Sequence, residues 1–384
     1  MKIVDNIFYI GVNDYELDLF EGQYPIPNGM AYNSYVIKDD KIAVMDTVDA
    51  NFSDLWLENI VQVLDEKNPD YLVIHHMEPD HSSSLDKFVN KYPNTLIVGN
   101  KKVYNMILQF FPSMNLEGKF VEVKEGEELS LGKTTLKFYF AAMVHWPEVM
   151  MTYVTETKAL FSADAFGKFG ALDHEEEWID EARRYYFGIV GKYGKQVQAI
   201  LKKLSDLEIK YILSLHGPVL KDNIEYYINL YDTWSKYESE VEGVLIAYAS
   251  MYGNTKSAAE ILYNELKEAG VNVEIYDLAR TNVLEVIPKA FKYDKLVLAS
   301  PTYNTNALPF LDTFISGLTS RNFQNKKIGF IENGSWAITA ARKMKEQFAS
   351  SPNIEFIDPI VSITSTISED NIRELNELKT NLMN

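Results

Sequence analysis

The sequence predicts an α/β protein in two parts: a mixed sandwich over residues 1–243, then a doubly wound parallel sheet over 244–384. Three observations lead there. At 384 residues the chain is too long for one typical domain. The first part sets short apolar runs between turn signals. The second changes to regular alternation of apolar strands and amphipathic helical segments, the pattern of a parallel sheet.

Taken in order, 8–12 and 34–37 read as strands, and the polar turn Lys38-Asp39-Asp40 joins the latter to 41–46 as a hairpin. A helix is expected over 55–67 and a buried strand over 71–74. Strand-like runs follow at 95–99, 121–123, 135–140, 151–154 and 159–162. A helical stretch over 175–204 leads to a strand at 210–215 and a helix at 223–237. The acidic run 238–243 marks the boundary. Beyond it, strands are expected at 244–249, 271–276, 295–300, 327–331 and 356–361, with a helix closing the chain.

Composition narrows the chemistry. Hydrophobic residues make up 46%, enough for two cores, yet no apolar run reaches the roughly 18 residues of a membrane span. The N-terminus lacks a basic segment followed by an apolar one, so a cytoplasmic protein is expected. A net charge of −18 repels nucleic acid and anionic membranes, and suits a docking partner with positive patches. The absence of cysteine excludes disulfides, thiolate nucleophiles and cysteine-ligated metal centres. Any metal must be held by nitrogen and oxygen, and any electron relay must be such a metal or an organic cofactor.

In the second part, the strand at 244–249 runs into Ser250-Met251-Tyr252-Gly253-Asn254-Thr255, and a helix follows. Hydroxyl and amide side chains surround a glycine that lets the backbone curl, so loop N–H groups and the helix N-terminus face a phosphate. Neither GxxxxGK[ST] nor GxGxxG is present, which argues against a nucleotide triphosphatase and a dinucleotide fold. Two later strand ends, Pro301-Thr302-Tyr303-Asn304-Thr305 and Asn333-Gly334-Ser335-Trp336, add aromatics beside polar groups. Ligands of doubly wound sheets sit at those strand ends, where Tyr303 and Trp336 would flank a flat ring. The plainer reading of any one loop is a polar turn with a helix cap. Three such loops in succession favour a ligand. This part resembles flavodoxin, which implies flavin mononucleotide (FMN), its phosphate on 250–255 and its ring between the other two loops.

In the first part, residues 75–81 read HHMEPDH. On an extended loop leaving a strand, His76, Glu78 and Asp80 alternate towards one side, with His81 adjacent. Four ligating groups this close fit two ions side by side, one on His76 and Glu78, the other on Asp80 and His81. Further ligands stand at strand ends: His145 in HWP, Asp164 in SAD and His216 in HGP. A buried aspartate needs a partner, and bridging two cations supplies one. His75 and His174 read as ordinary polar residues.

This pattern resembles the metallo-β-lactamase fold, an αββα sandwich whose hydrolases carry H-x-H-x-D-H. Here Glu78 replaces the middle histidine, and a second carboxylate suits iron or manganese better than zinc. Joined to a flavodoxin-like part, the whole chain resembles the flavodiiron proteins, or A-type flavoproteins. The resemblance implies one iron on His76, Glu78 and His145, another on Asp80, His81 and His216, and Asp164 bridging them. It implies reduction of dioxygen to water, of nitric oxide to nitrous oxide, or both, with FMN relaying electrons. It also implies a head-to-tail homodimer, or a dimer of dimers. The donor is external, rubredoxin or a reductase, since the chain has neither cysteine nor GxGxxG. Some family members carry an N-terminal histidine near iron; this chain has none before His75, and Tyr193 is a candidate neighbour of the gas pocket, with a helix-surface tyrosine the plainer and favoured reading. A zinc hydrolase fused to a flavodoxin-like domain is the alternative. A flavin carrier or sensor on a catalytically dead scaffold is a third reading.

Overall fold

Two sheets packed face to face build the first unit of the computed structural model, which describes residues 1–384. Chain contacts divide it into two compact units, Met1–Asp232 and Thr233–Asn384. The division falls inside the helix Ile224–Ser235, just before the acidic run. Tyr231, on the near side, stacks on Phe166 with ring centres 4.1 Å apart. Trp234, on the far side, donates from Nε1 to Glu240 Oε1 at 2.7 Å.

A seven-stranded sheet runs in the order Lys2–Val4, Ile7–Tyr9, Tyr35–Lys38, Ile42–Met45, Tyr71–Val73, Leu96–Gly99, Phe120–Glu122. A five-stranded sheet runs Glu128–Ser130, Thr135–Phe140, Met150–Val154, Ala159–Phe161, Tyr211–Leu213. Alternate residues point to opposite faces. Ile37, Met45, Val73 and Val98 of the first sheet therefore meet Phe138, Met150, Phe161 and Leu213 of the second in one core. On the outer face, Trp56 of the helix Ser53–Leu64 packs on Phe88 of the helix Leu85–Lys91, ring centres 5.6 Å apart. This is the expected sandwich.

The helix expected over 175–204 is broken. Trp178–Tyr185 passes through a wide π turn, Tyr186–Val190, and a 3-10 turn, Gly191–Tyr193, into Gly194–Leu204. Glycine is required at the break: a Cβ on Gly188 would stand 2.9 Å from the Tyr24 ring, whose hydroxyl donates to Gly188 O at 2.8 Å.

In the second unit the parallel sheet runs Val273–Asp277, Val241–Tyr248, Tyr293–Pro301, Lys326–Gly334, with Ile354–Phe356 and Val361–Thr364 both pairing the last. The single strand expected at 356–361 is thus two short ones. Pro359 lies between them and has no N–H for a ladder. One sheet face packs under Leu262, Leu266, Leu375 and Leu378 of the helices Asn254–Glu268 and Glu369–Leu382. The other carries Val283–Lys292 and Pro309–Thr319, whose Phe291, Phe314 and Ile315 are buried.

Lys326 is a buried cation at this sheet's base. Its Nζ donates to Ser239 Oγ (2.6 Å), Phe291 O (2.9 Å) and Tyr293 O (2.7 Å). Lys326→Met strands these acceptors and is expected to destabilise the unit by about 2–4 kcal/mol. Burial pushes the Lys326 ammonium down to about 7, against the opposing pull of Asp294 and Glu240. The unfolded chain keeps that proton up to about pH 10.4, so unfolding takes up a proton in between and stability rises with pH. Urea unfolding at about pH 7 and about pH 9.5 should show the wild type gaining on Lys326→Met. A pH-independent difference refutes this.

Candidate metal centre and flavin cavity

The run 75–81 does not stay extended. Pro79 opens a single helical turn, Pro79–Ser82, at a position where its missing N–H is not needed. His76 and Glu78 lie before the turn, and Asp80 and His81 lie within it. The four groups are thereby aimed as two pairs.

Three residues from the ends of the second sheet complete the pairs. His145 follows Thr135–Phe140, Asp164 follows Ala159–Phe161, and His216 follows Tyr211–Leu213. Ala163 and Phe166 adopt φ of 50° and 66°, so left-handed backbone flanks Asp164 where the strand ends. In one cluster, His76, Glu78, His145 and Asp164 bring donor atoms within 4.8 Å of one another; in the other, Asp80, His81 and His216 do the same. Asp164 faces both. Its Oδ2 is 3.2 Å from His76 Nε2 and 3.1 Å from His145 Nε2, while Oδ1 is 3.5 Å from His81 Nε2 and 3.8 Å from His216 Nε2.

These spacings fit metal ions. Donors about 2.1 Å from one ion, at tetrahedral or octahedral angles, stand roughly 3.0–3.4 Å apart. Glu78 Oε2 lies 3.2 Å from His76 Nε2 and 3.1 Å from His145 Nε2. Asp80 Oδ2 lies 3.1 Å from His81 Nε2 and 3.3 Å from His216 Nε2, with hydrogen-bond geometry to neither. His81 Nε2 and His216 Nε2 face each other at 2.9 Å, and two lone pairs tolerate that only with a cation or proton between them. Electrostatics agrees. Burial would raise the Asp164 carboxyl, but His76, His145 and His81 hold it well below the usual carboxylate range. Burial opposes charge on His145, yet Asp164 and Glu78 push it up to about 9. The buried carboxylates require positive charge, and a bound cation supplies it by displacing those protons.

Outer partners orient the cluster histidines. His76 Nδ1 donates to Glu148 Oε1 at 2.8 Å, and His216 Nδ1 donates to Ala31 O at 2.8 Å. His75 is no ligand. It is buried, with Nδ1 on Asp46 Oδ2, Nε2 on Thr152 Oγ1 (2.7 Å) and its N–H donating to Asp46 Oδ1 (2.7 Å). It thereby pins the loop that carries His76 to both sheets. His174 is 46% exposed and stands apart, 3.9 Å from Glu176. Aromatic rings wall the second cluster: Phe20 and Tyr185 lie 5.5 and 5.4 Å from His216, ring centre to ring centre. The Tyr185 hydroxyl is buried without a partner. Burial, then Asp164, Glu78 and Asp80, raise it well above the usual phenol range. The tyrosines set beside the cluster are thus Tyr32 and Tyr185, while Tyr193 is half-buried in its 3-10 turn.

In the second unit a cavity of about 440 Å³ opens at the strand ends. Ser250, Met251, Tyr252, Asn254 and Thr255 line it from the first loop, Pro301, Thr302, Asn304 and Thr305 from the second, and Asn333, Gly334, Ser335 and Trp336 from the third. Gly253 shapes the first loop from outside the lining: its φ of 97° makes the turn, and its N–H donates to Ser250 Oγ at 3.1 Å. No side chain caps the helix Asn254–Glu268, so its first N–H groups are left for an anion. Thr302 Oγ1 is already taken, accepting from Thr339 N (2.9 Å) and Ala340 N (3.2 Å). Tyr303 lies outside the lining, in a turn where its N–H donates to Asn306 O at 2.8 Å. Trp336, 82% exposed, and Tyr252, 93% exposed, are the aromatics left to cover a flat ring. A fourth contributor, Ser365, carried no sequence signal; its Oγ is 2.8 Å from Ser335 Oγ.

Comparisons with known proteins match this division. Residues 30–217 match the family model described as ODP family beta lactamase, and residues 245–356 match the flavodoxin domain. Among curated relatives, the anaerobic nitric oxide reductase flavorubredoxin of Pectobacterium atrosepticum is 30% identical, over 88% of this chain and 68% of its own length. Rubredoxin oxygen:oxidoreductase from Desulfovibrio gigas shares the fold, with a TM-score of 0.91 and 24% identity, over 100% of this chain and 97% of that one. The flavodiiron protein from Giardia intestinalis aligns over 100% of this chain and 97% of that one, with a TM-score of 0.88 and 25% identity. Both matched domains, and relatives matched along nearly all of its length, place this chain in the flavodiiron protein family.

Proposed function

We propose that the chain is a flavodiiron oxidoreductase that reduces dioxygen to water, nitric oxide to nitrous oxide, or both. The observation that carries this is Glu78. It closes the His76–His145 cluster with a carboxylate, in a chain that also holds a flavodoxin unit. His76, Glu78 and His145 would hold one iron, and Asp80, His81 and His216 the other, with Asp164 shared. The iron pair supplies two electrons and coordination positions for the gas, and FMN in the 250–255 loop cavity supplies two more. Dioxygen takes four electrons and four protons to give two waters. Two nitric oxide molecules take two electrons and two protons to give nitrous oxide and water.

The chain's own residues bind, orient and exclude water. Phe20, Tyr32 and Tyr185 wall the second cluster, and Tyr185 Oη, lacking an acceptor, is placed to donate a hydrogen bond to what binds there. The first unit, Met1–Asp232, would carry the irons, and the second, Thr233–Asn384, would carry FMN. Rubredoxin or a reductase brings electrons, a reading supported by the name of the Desulfovibrio gigas protein. A head-to-tail homodimer, or a dimer of dimers, brings flavin of one protomer to iron of its partner. No helix is long and apolar enough to cross a membrane, and a cytoplasmic setting is part of the same reading.

Metal analysis after iron-replete expression tests the proposal, together with anaerobic reduction and turnover of each gas. Two zinc ions and no iron would overturn the reductase reading in favour of the hydrolase alternative. Flavin that is reduced while neither gas is consumed would point to an electron carrier. Within the flavin cavity, Trp336→Ala should weaken FMN by about 2–13-fold, the 0.5–1.5 kcal/mol of one aromatic stack. Flavin fluorescence titration of the apoprotein measures this, and unchanged affinity removes Trp336 from the site.

A further inference from the structure

We infer that Glu148 makes the two metal positions electronically unequal, giving the ion at His76, Glu78 and His145 the lower reduction potential. The inference rests on the two-iron reading. The direct donors are closely matched. Each position has two histidines, one carboxylate of its own and one oxygen of Asp164. The difference lies behind the histidines.

On one side His76 Nδ1 donates to a carboxylate, Glu148 Oε1, at 2.8 Å. Glu148 is fully buried, and its recorded ion pair is with His76. Its other hydrogen bond on Oε1 comes from Met77 N at 2.9 Å, and Oε2 has no partner. A buried carboxylate with no lysine or arginine must be answered by the imidazole it touches, and through that ring by the metal. Its place is fixed. Asn100 donates from Nδ2 to Glu148 O at 2.6 Å while its Oδ1 caps the helix Lys101–Phe110. On the other side His216 Nδ1 donates to a neutral carbonyl, Ala31 O, and His81 Nδ1 is buried with no partner.

A carboxylate behind an imidazole draws on its N–H proton and strengthens the opposite nitrogen as a donor, which a carbonyl does far less. Stronger donation favours the more oxidised ion. Of the two electrons an external reductant delivers, the first then converts ferric to ferrous iron at Asp80, His81 and His216. The second reduces the iron at His76.

Stepwise dithionite titration followed by Mössbauer and electron paramagnetic resonance spectroscopy should resolve two one-electron steps in the wild type. Glu148→Gln should raise the second step towards the first and leave the first in place. Chelator competition should show one of its two ions held roughly 10–100-fold more weakly. Anomalous diffraction after partial chelation should place that loss at His76. Glu148→Asp, which keeps the charge, should restore part of the separation. A single two-electron step in the wild type overturns the inference whatever the variants do. So does a Glu148→Gln protein whose two steps are unmoved or move together, or one that loses the ion at His216 first. If the wild type purifies with zinc alone, the two-iron reading fails; the chelator arm, run with zinc, still tells whether Glu148 strengthens the His76 position.

Discussion

Asp164→Ala should leave a protein that binds flavin and consumes neither dioxygen nor nitric oxide. Asp164 is the side chain whose two oxygens face different clusters, Oδ2 at 3.1–3.2 Å from His145 and His76, Oδ1 at 3.5–3.8 Å from His81 and His216. Truncation removes a candidate donor from both positions and the one carboxylate that faces both. Losing an outer partner typically weakens metal or activity by about 10–100-fold, so loss of a shared ligand should exceed ~100-fold in turnover. The flavin cavity is built wholly from the other unit and should keep its affinity. Iron content, flavin content and anaerobic gas consumption, measured on one preparation, check all three. Turnover near the wild-type rate would remove Asp164 from the bridge.

Glu78→His should convert the metal preference. Glu78 Oε2 stands 3.1–3.2 Å from two ring nitrogens, so a histidine there gives that position three imidazoles and a share of one carboxylate. The site loses a negative charge and a hard oxygen donor, both of which favour the ferric ion. Protein grown with both metals should then carry zinc where the wild type carries iron. Gas turnover should fall by on the order of 100-fold, the top of the range for an outer partner, because Glu78 is proposed as a direct ligand. An unchanged iron content would show that selectivity lies elsewhere.

Much of this site was legible because its residues are rare and crowded. Three of the six histidines fall in 75–81, and His145, Asp164 and His216 each end an apolar run that the structure makes a strand. Glu148 could not be read. It is one of many acids, and its importance comes from complete burial and from Asn100 approaching out of a distant loop. His75 looked ordinary because nothing local marks it; sheet pairing is what sets it against Asp46 and Thr152. Tyr185 was hidden among 24 tyrosines in a segment expected to be one helix. Of the fold, the strand Thr135–Phe140 was plain from alternation, its Leu136 and Phe138 facing the core. The helix break near Gly188 depends on a ring from the far end of the chain, and no local pattern announces it.

The candidate ligands of each cluster come from both sheets of the sandwich: residues 76–81 leave the first, and His145, Asp164 and His216 leave the second. In a chain without cysteine, bound ions are therefore cross-links. An ion held between His81 and His216 would join residues 135 positions apart. In the chain-entropy picture a tie closing so long a loop restricts the unfolded state by about 4–5 kcal/mol, as a disulfide would. Iron held by these residues would thus be mortar as well as reagent. A cell short of iron would be left with a looser sandwich, and so with less of the folded protein to load when iron returns.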